Sequence, residues 1–427
     1  MILEFRVKNY RSIRDEQVFS MVASSADKEL SETHLISTGL KSFPAAVRSS
    51  VVYGPNASGK STLLVALSYM RAVVAESATM IQPGQTYNVQ PFRLDKSWVN
   101  EPTEFELSFI LNGVRHQYAF AMNAQRIISE SLLVYTTSKP TQWFSRTLAN
   151  DGVSYDYEFS SYLTGSKKVW QESTRDNALF LSTAAQLNSD LLSPVFQWIV
   201  SNIVFIPAGA IIDPSFTTAM LETEDGRALI KDFLTSADIS IAEVHVDSRK
   251  GFKNQVIFSD VGIPQASREE GEFLVPIFEL TTYKGSARFE LHEESEGTQH
   301  LYRLVAPIVD VLKQGRVLIV DELDGSLHAL LVRRLISLFC NSELNIKNAQ
   351  LIFSTHDTSL LDHTLFRRDQ IWFTEKNADQ ATQVFPLSDF NPRKREAWEQ
   401  GYLMGRYGAI PFFSQFPDFF KSEPESV

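Results

Sequence analysis

Apolar and polar residues alternate in the first part of the chain. Residues 2–8, Ile-Leu-Glu-Phe-Arg-Val-Lys, place apolar side chains on one face and charged ones on the other. This period of two predicts a half-buried β-strand. A second alternation over residues 105–120 is interrupted by Asn112-Gly113. That dipeptide favours a tight turn between antiparallel strands, so we predict a hairpin.

Further along, the apolar runs become continuous, as is typical of strands buried on both faces of a parallel sheet. Such runs occupy residues 51–53, 317–320 and 351–353. The stretch after Ser61 is rich in helix-forming residues, and residues 179–204 also have a helical composition. The chain lacks sustained heptads, so we expect no long coiled coil. The combination predicts a mixed α/β fold.

Composition favours a folded protein. The chain has 427 residues, of which 44% are hydrophobic, and its formal net charge is -11. This length allows one large domain with an insertion or two coupled domains. The acidic balance disfavours nucleic-acid binding through overall charge, although it leaves room for a local basic patch.

The single cysteine and the lack of long apolar segments both indicate a cytoplasmic location. Cys340 lies in an apolar run, where we expect a small buried side chain. One cysteine allows no intramolecular disulfide, which fits a reducing compartment. The N-terminus lacks a signal-peptide pattern, and no stretch approaches the roughly 20 apolar residues of a membrane span. We therefore expect a cytoplasmic protein without membrane contact.

A glycine-rich segment follows the apolar run at residues 51–53 and carries the strongest chemical signal. It matches G-x-x-x-x-G-K-[ST] in full. We call residues 54–61 the phosphate loop. Its glycines let backbone N–H groups point at phosphate oxygens, and the following helix adds its positive end. The candidate nucleotide-binding residues are Gly54, Asn56, Ala57, Ser58, Gly59, Lys60, Ser61 and Thr62.

Within that loop, two side chains have specific expected roles. Lys60 supplies a positive charge for the terminal phosphates of ATP, and the hydroxyl of Ser61 is a candidate Mg²⁺ ligand. Two carboxylates, Asp321 and Glu322, follow the apolar run at residues 317–320. At the carboxyl end of a buried strand, Asp321 would hold Mg²⁺ through water and Glu322 would polarise the attacking water.

A third polar group follows the apolar run at residues 351–353. Ser354, Thr355 and His356 end this predicted strand, whose spacing from Asp321 allows it to be the neighbouring strand. A histidine at this position can contact a γ-phosphate. We therefore take Glu322 and His356 as the candidate catalytic residues.

The order of these motifs resembles that of the ABC-type ATPases. The soluble branch that includes SMC, RecF and the overcoming-lysogenization-defect nucleases is the most similar, and residues 5–13 resemble its first strand and turn. The resemblance implies an ABC-type P-loop NTPase head with a mixed sheet and an inserted α+β, largely helical subdomain. It also implies ATP and Mg²⁺ as cofactors.

The same resemblance implies a signature segment before the Asp-Glu strand. Residues 294–299 fit that place, with Ser295 and Gly297 matching the transporter pattern and Glu296 replacing a glycine. In this class the signature of one subunit contacts the γ-phosphate held by another. A homodimer or higher homo-oligomer through the ATP site is therefore expected. His328 lies where the class has its D-loop, and its role stays open.

The resemblance also implies a glutamine that completes the Mg²⁺ shell. Gln90 is the candidate, and Gln82 and Gln85 are the alternatives. The implied organisation has three parts: an N-terminal lobe with the phosphate loop (residues 1–124), an inserted largely helical subdomain (125–285), and a C-terminal lobe with the signature, the Asp-Glu strand and the histidine (286–427).

A narrower resemblance covers most of the chain. Residues 91–95, the hairpin at 105–120 and residues 402–411 look like the AAA/ABC-type ATPases of bacterial phage-defence and abortive-infection operons, of which the RloA-like proteins are an example. It implies a sensor or scaffold subunit that controls a separate effector, a nuclease or a toxin. The alternative is a RecF-like DNA-repair ATPase that binds DNA directly.

We expect no nuclease centre in the chain itself. Residues 357–427 are too few for a typical additional domain. The acidic residues there, Asp389, Asp418, Glu423 and Glu425, do not follow apolar strands as a compact group. Residues 421–427 are polar and are expected to form a loose tail.

Overall fold

The computed structural model describes residues 1–239, 241–257, 265–393 and 396–411. Asp418, Glu423, Glu425 and the predicted tail at 421–427 lie outside the described residues. The strands are β1 (Ile2–Lys8), β2 (Gln17–Ser20), β3 (Leu35–Ser37), β4 (Ala45–Val47), β5 (Ser49–Tyr53), β6 (Thr103–Leu111), β7 (Val114–Met122), β8 (Ile127–Tyr135), β9 (Thr141–Leu148), β10 (Tyr155–Phe159), β11 (Ile203–Ile206), β12 (Glu243–Ile257), β13 (Gln265–Thr282), β14 (Gly285–Glu290), β15 (Val317–Val320), β16 (Gln350–Ser354), β17 (Ile371–Lys376) and β18 (Thr382–Pro386).

Helices lie between groups of these strands. The α-helices are α1 (Ser31–His34), α2 (Lys60–Glu76), α3 (Lys167–Ser173), α4 (Phe180–Gln186), α5 (Ser193–Asn202), α6 (Ser215–Met220), α7 (Glu224–Ser236), α8 (Glu296–Gln314), α9 (Ala329–Cys340) and α10 (Trp398–Leu403). The fold is mixed α/β, as predicted.

The central sheet has six strands in the order β11-β15-β16-β5-β17-β18. Its strands are parallel except for β18, which runs antiparallel to β17. Val320 lies opposite Phe353, and Ser354 lies opposite Val52. The prediction that the Asp-Glu strand and the histidine strand are neighbours is confirmed. Their carboxyl ends meet at one edge of the sheet, together with the end of β5.

Successive residues of the central strands enter two different hydrophobic cores. Val52 and Ile352 pack in a core with α2, α4 and α5, whereas Val51 and Phe353 pack in a second core with α8 and α9. This confirms that the continuous apolar runs are strands buried on both faces. Cys340 is also buried, in the second core, as predicted.

An antiparallel sheet of seven strands covers the first core, in the order β10-β9-β8-β7-β6-β1-β2. The predicted hairpin joins β6 and β7, and both of its turn residues, Asn112 and Gly113, have positive φ. The predicted domain boundary after residue 124 falls between β7 and β8, which are adjacent strands of this sheet. The three-part division of the chain stays a prediction.

The predicted helical stretch at residues 179–204 is divided in the structure. Helix α4 ends at Gln186, Asn188 adopts a positive φ of 57°, and α5 begins with Pro194 in its first turn. Both features interrupt a helix, since a left-handed residue ends its hydrogen-bond ladder and proline favours a new start. The chain then enters β11, an edge strand of the central sheet.

A long β-ribbon lies between α7 and α8. Strand β12 pairs with β13 from Glu243 opposite Glu279 to Ile257 opposite Gln265, and β14 adds a third, shorter strand. The ribbon begins at Glu243, and Val244 and Phe278 near its start are buried in the second core.

A fully buried ion pair joins helix α4 to the antiparallel sheet. The carboxylate of Glu130 accepts hydrogen bonds from the backbone N–H groups of Phe180 and Leu181 at 2.6 and 2.9 Å, and from the hydroxyl of Tyr118 at 2.9 Å. Arg146 lies 4.0 Å from this carboxylate and donates to the carbonyl oxygen of Ala178 at 2.6 Å. The pair therefore fixes the start of α4 on the sheet.

Glu130→Gln is expected to destabilise the fold by about 3 kcal/mol, because it leaves Arg146 without a counter-charge and turns an amide N–H₂ towards N–H donors. Urea unfolding followed by circular dichroism measures the loss. Asp156→Asn, an exposed change on β10, is the matched control. Equal midpoints for the two variants would contradict a structural role for the pair.

Candidate functional site

The phosphate loop joins the buried strand β5 to helix α2. Gly54 and Gly59 have φ of 155° and 117°, values that favour glycine. A Cβ on Gly54 would collide with the carbonyl oxygen of Thr374, and one on Gly59 would collide with the side chain of Thr382. Both glycines are therefore required by close backbone approach as well as by conformation. The first turn of α2 leaves N–H groups without partners inside the helix, directed at the loop.

Lys60 is buried at the base of this loop. Its Nζ donates to the carbonyl oxygen of Gly54 at 2.8 Å and to that of Pro55 at 3.3 Å. Burial lowers the pKa of Lys60, while the nearby carboxylates of Asp321 and Glu322 act in the opposite direction. The ammonium group thus sits where an anion would compensate for its loss of water.

Two threonines from the far end of the chain support the loop. Thr374 Oγ1 lies 2.6 Å from Ser58 Oγ, and Thr382 Oγ1 donates to the carbonyl oxygen of Ser58 at 2.8 Å. Thr382 Oγ1 also lies 2.9 Å from Ser12 Oγ. The sequence analysis missed these supports, because a threonine on a strand carries no local signal of a loop more than 300 residues away.

Gln90 lies close to the loop, in contrast to its two alternatives. Its carbonyl oxygen accepts from the N–H of Arg11 at 2.7 Å. Ser12, which follows Arg11, donates to Thr62 Oγ1 at 3.2 Å. Gln82 and Gln85 lie beyond the opposite end of α2, where their carbonyl oxygens accept from the side chain of Asn177 at 2.8 and 3.2 Å. Their position favours Gln90 among the three, and its role stays a prediction.

Asp321 and Glu322 follow β15 directly. Asp321 is buried, and its Oδ1 accepts from the Ser354 hydroxyl at 2.5 Å. The backbone N–H of Glu322 donates to the same Ser354 oxygen at 2.8 Å. Glu322 has a φ of 58°, an uncommon conformation for a residue other than glycine. Its side chain is 47% exposed and is therefore open to water and ligands.

His356 lies beside these carboxylates. Its Nε2 is 3.9 Å from Glu322 Oε1, and its backbone N–H donates to Asp324 Oδ2 at 3.2 Å. The other oxygen of Asp324 is buried and has no hydrogen-bond partner among the described residues. Asp324, which the sequence analysis did not single out chemically, also acts on Lys60 electrostatically. The structure thus brings Lys60, Asp321, Glu322 and His356 to one edge of the central sheet.

The predicted signature segment begins helix α8. Ser295 is its N-cap, and its hydroxyl accepts from the N–H of Thr298 at 3.2 Å. A Cβ on Gly297 would lie 3.0 Å from the carbonyl oxygen of Ser326, so the segment touches the residues that follow Glu322. Among the described residues, no hydrogen bond joins Ser295 or Gly297 to the phosphate loop of the same copy.

His328 caps the helix that follows. The N–H of Leu330 donates to its Nδ1 at 3.2 Å, and the residue is exposed at the start of α9. A structural role as a helix cap therefore accounts for one of its two ring nitrogens.

The site has the donor set that Mg²⁺ prefers when it is bound with a nucleotide. Ser61 and Asp321 offer hydroxyl and carboxylate oxygens, and Mg²⁺ usually takes its other ligands from phosphate and water. In the described part of the chain, His, Cys, Asp and Glu form no group of three or more that could hold a metal alone. The residues present fit a nucleotide-bound Mg²⁺ better than a metal held by the protein alone.

Across the described ranges, every helix is too short or too polar to span a membrane.

Solved structures with partial likeness include SMC head domains. An SMC head domain from Thermotoga maritima has a TM-score of 0.40 at 12% identity, covering 90% of this chain and 98% of that chain. An SMC head bound to the C-terminal winged-helix domain of ScpA has the same score and identity, covering 90% and 97%. Scores this low carry no argument about shared function. No curated protein sequence matches the chain.

A family profile gives the assignment. Residues 49–362 match the family described as "AAA domain, putative AbiEii toxin, Type IV TA system". The matched range includes the phosphate loop, the signature segment, Asp321, Glu322 and His356. Because the match spans well over half of its residues, this chain belongs to that AAA-domain family.

Proposed function

We propose that this chain binds ATP with Mg²⁺ and hydrolyses it at a site that a second copy completes. The observation that carries the proposal is the convergence of Lys60, Asp321, Glu322 and His356 at the ends of three adjacent parallel strands. Strand-end clusters beside a glycine-rich loop and a helix N-terminus are suited to phosphate chemistry. Membership of an AAA-domain family supports the same reading.

Binding would begin at the loop. Lys60 now donates to two carbonyl oxygens, and the terminal phosphates of ATP would offer it a charged acceptor instead. The N–H groups of Gly59, Lys60, Ser61 and Thr62 would bind the same phosphates. Asp321 and Glu322 lie close to Lys60 and would repel the negative charges of the ATP phosphates. We therefore propose that Mg²⁺ binds with ATP as a counter-ion.

Hydrolysis would depend on the exposed carboxylate of Glu322. Ser61 and Gln90, together with Asp321 through water, would hold Mg²⁺, which would neutralise charge on the phosphoryl oxygens. Glu322 would orient and polarise the attacking water, since its carboxylate is open to solvent. His356, 3.9 Å from Glu322, would hold the γ-phosphate by a hydrogen bond from its ring.

A second copy would supply Ser295 and Gly297. Together with the N-terminus of α8, a 19-residue helix, they would form an anion-binding surface for the nucleotide of the other copy. Two copies facing each other would place each signature against the other's nucleotide. ATP would then stabilise a homodimer or a higher homo-oligomer.

In the cell, we propose a sensor or scaffold subunit of an antiviral defence complex that controls a separate effector. This rests on the resemblance of residues 91–95 and 402–411 to ATPases of such operons. In the structure, Tyr402 packs on Tyr53, the residue before Gly54, with ring centroids 6.0 Å apart. The C-terminal element therefore contacts the strand that leads into the phosphate loop, which suits a part that reports nucleotide state to a partner.

Lys60→Ala is expected to lower ATP affinity at least about 100-fold, because it removes the buried ammonium group at the base of the loop. Calorimetric titration with ATP measures the loss. Lys41→Ala, which removes an exposed lysine, should bind as the wild type does. Unchanged affinity in Lys60→Ala would remove the phosphate-loop assignment.

Glu322→Gln is expected to keep ATP binding and to slow turnover about 100-fold or more, because an amide cannot polarise water as a carboxylate does. Blocked hydrolysis should also accumulate the closed oligomer, which sedimentation in the presence of ATP and Mg²⁺ would show. Glu343→Gln, an exposed change, is the control. Near-normal turnover in Glu322→Gln would move the water-activating role to another residue.

The defence role has its own test in cells. A host that carries this gene with its neighbouring genes should resist some phages, and Lys60→Ala should restore phage plating while the protein level stays constant. If phages plate equally on hosts with wild-type and empty plasmids across a broad panel, the defence role is wrong even where ATP hydrolysis holds.

A further inference from the structure

Ser354, the last residue of β16, makes contacts that no role assigned so far explains. Its side chain is fully buried, yet it lies at the carboxyl edge of the sheet beside the candidate catalytic residues. The residue before it, Phe353, pairs with Val320, so Ser354 lies level with Asp321 on the neighbouring strand. Its position between two strand ends gives it access to the whole turn after β15.

The hydroxyl of Ser354 bonds to both candidate acidic residues at once. It donates to Asp321 Oδ1 at 2.5 Å and accepts from the N–H of Glu322 at 2.8 Å. The carbonyl oxygen of Ser354 also accepts from the N–H of Leu323 at 3.1 Å. Three successive residues of the turn are thus attached to one residue of the next strand.

These bonds have different consequences for the two acids. Among the described residues, Asp321 Oδ2 has no hydrogen-bond donor, so Ser354 engages one oxygen and leaves the other available. Glu322 has a left-handed backbone conformation, which ordinary side chains disfavour. A bond from its N–H to a fixed acceptor stabilises that backbone conformation, in which the Glu322 carboxylate lies 3.9 Å from His356 Nε2.

We propose that Ser354 is a positioning residue, which orients Asp321 towards Mg²⁺ and holds Glu322 in its left-handed conformation. This inference rests on the proposed ATPase function. The hydroxyl donates its one hydrogen to Asp321 and accepts the Glu322 N–H at a lone pair. Ser354 can therefore hold both residues directly, without a third residue between them. Partners of metal-binding groups commonly change metal affinity about 10- to 100-fold when they are removed.

The test compares Ser354→Cys with Ser354→Thr. The thiol is close in size but is a weak hydrogen-bonding group, whereas threonine keeps the hydroxyl. Binding of ATPγS is measured by calorimetry without metal and then over a series of Mg²⁺ concentrations. We expect Ser354→Cys to bind ATPγS without metal within about twofold of wild type, and to need about 10- to 100-fold more Mg²⁺ for the same gain in affinity. Ser354→Thr should need about as much Mg²⁺ as wild type.

Ser50→Ala provides the matched control. Ser50 lies on the adjacent strand β5, is fully buried, and donates to the carbonyl oxygen of Gln370 at 2.8 Å, away from both acids. The Ser50→Ala change removes one buried serine hydroxyl without altering the turn after β15. The Mg²⁺ dependence of ATPγS binding by this variant should therefore match that of wild type.

The outcomes separate this proposal from the function on which it rests. A wild-type protein that binds no ATPγS would overturn the proposed function itself. Normal wild-type binding together with an unchanged Mg²⁺ requirement in Ser354→Cys would overturn the role of Ser354 alone. Thermal melting checks whether Ser354→Cys is folded. If it is misfolded, the Mg²⁺ dependence of Ser354→Thr tests the proposal instead. A folded Ser354→Thr variant that has lost its response to Mg²⁺ would contradict the proposal.

Discussion

A buried ammonium group at the end of a parallel sheet is the constraint on which this structure depends. Lys60 is removed from water, and its two hydrogen bonds are to carbonyl oxygens of its own loop. Such a group is costly unless negative charge lies close to it. The carboxylates that provide it belong to the turn after β15, so the central sheet must keep β5 and β15 in register, with β16 between them.

Residues from distant parts of the chain also hold the phosphate loop in place. Thr374 and Thr382, on β17 and β18, hold the outside of the loop, and Ser12 links the second of them to the first turn of α2. At the other end of the sheet, the side chain of Gln350 accepts from the N–H of Ile2 at 2.6 Å and donates to its carbonyl oxygen at 3.1 Å. The beginning of the chain and its last third therefore form one folded unit around the site.

Local sequence patterns predicted those parts of the fold that depend on neighbouring residues in the chain. The continuous apolar runs became the central strands, and Asn112-Gly113 became the predicted turn, because burial on two faces and positive φ both leave marks in adjacent residues. The divided helix and the ribbon of β12 and β13 were missed in detail. Their form depends on partners far along the chain. The bonds of Ser354 were unpredictable for the same reason, since they exist only once β15 and β16 are paired.

The contact between Gly297 and Ser326 gives the site a physical route to a second copy. Ser326 follows Glu322 by four residues, and a side chain at position 297 would press on its carbonyl oxygen. A change in the turn after β15 must therefore displace the start of α8 or be resisted by it. Ser354 fixes the beginning of that turn from the opposite side. In the proposed mechanism, rearrangement around the γ-phosphate would thus act on the surface that meets the partner's nucleotide, and hydrolysis would be coupled to separation of the two copies.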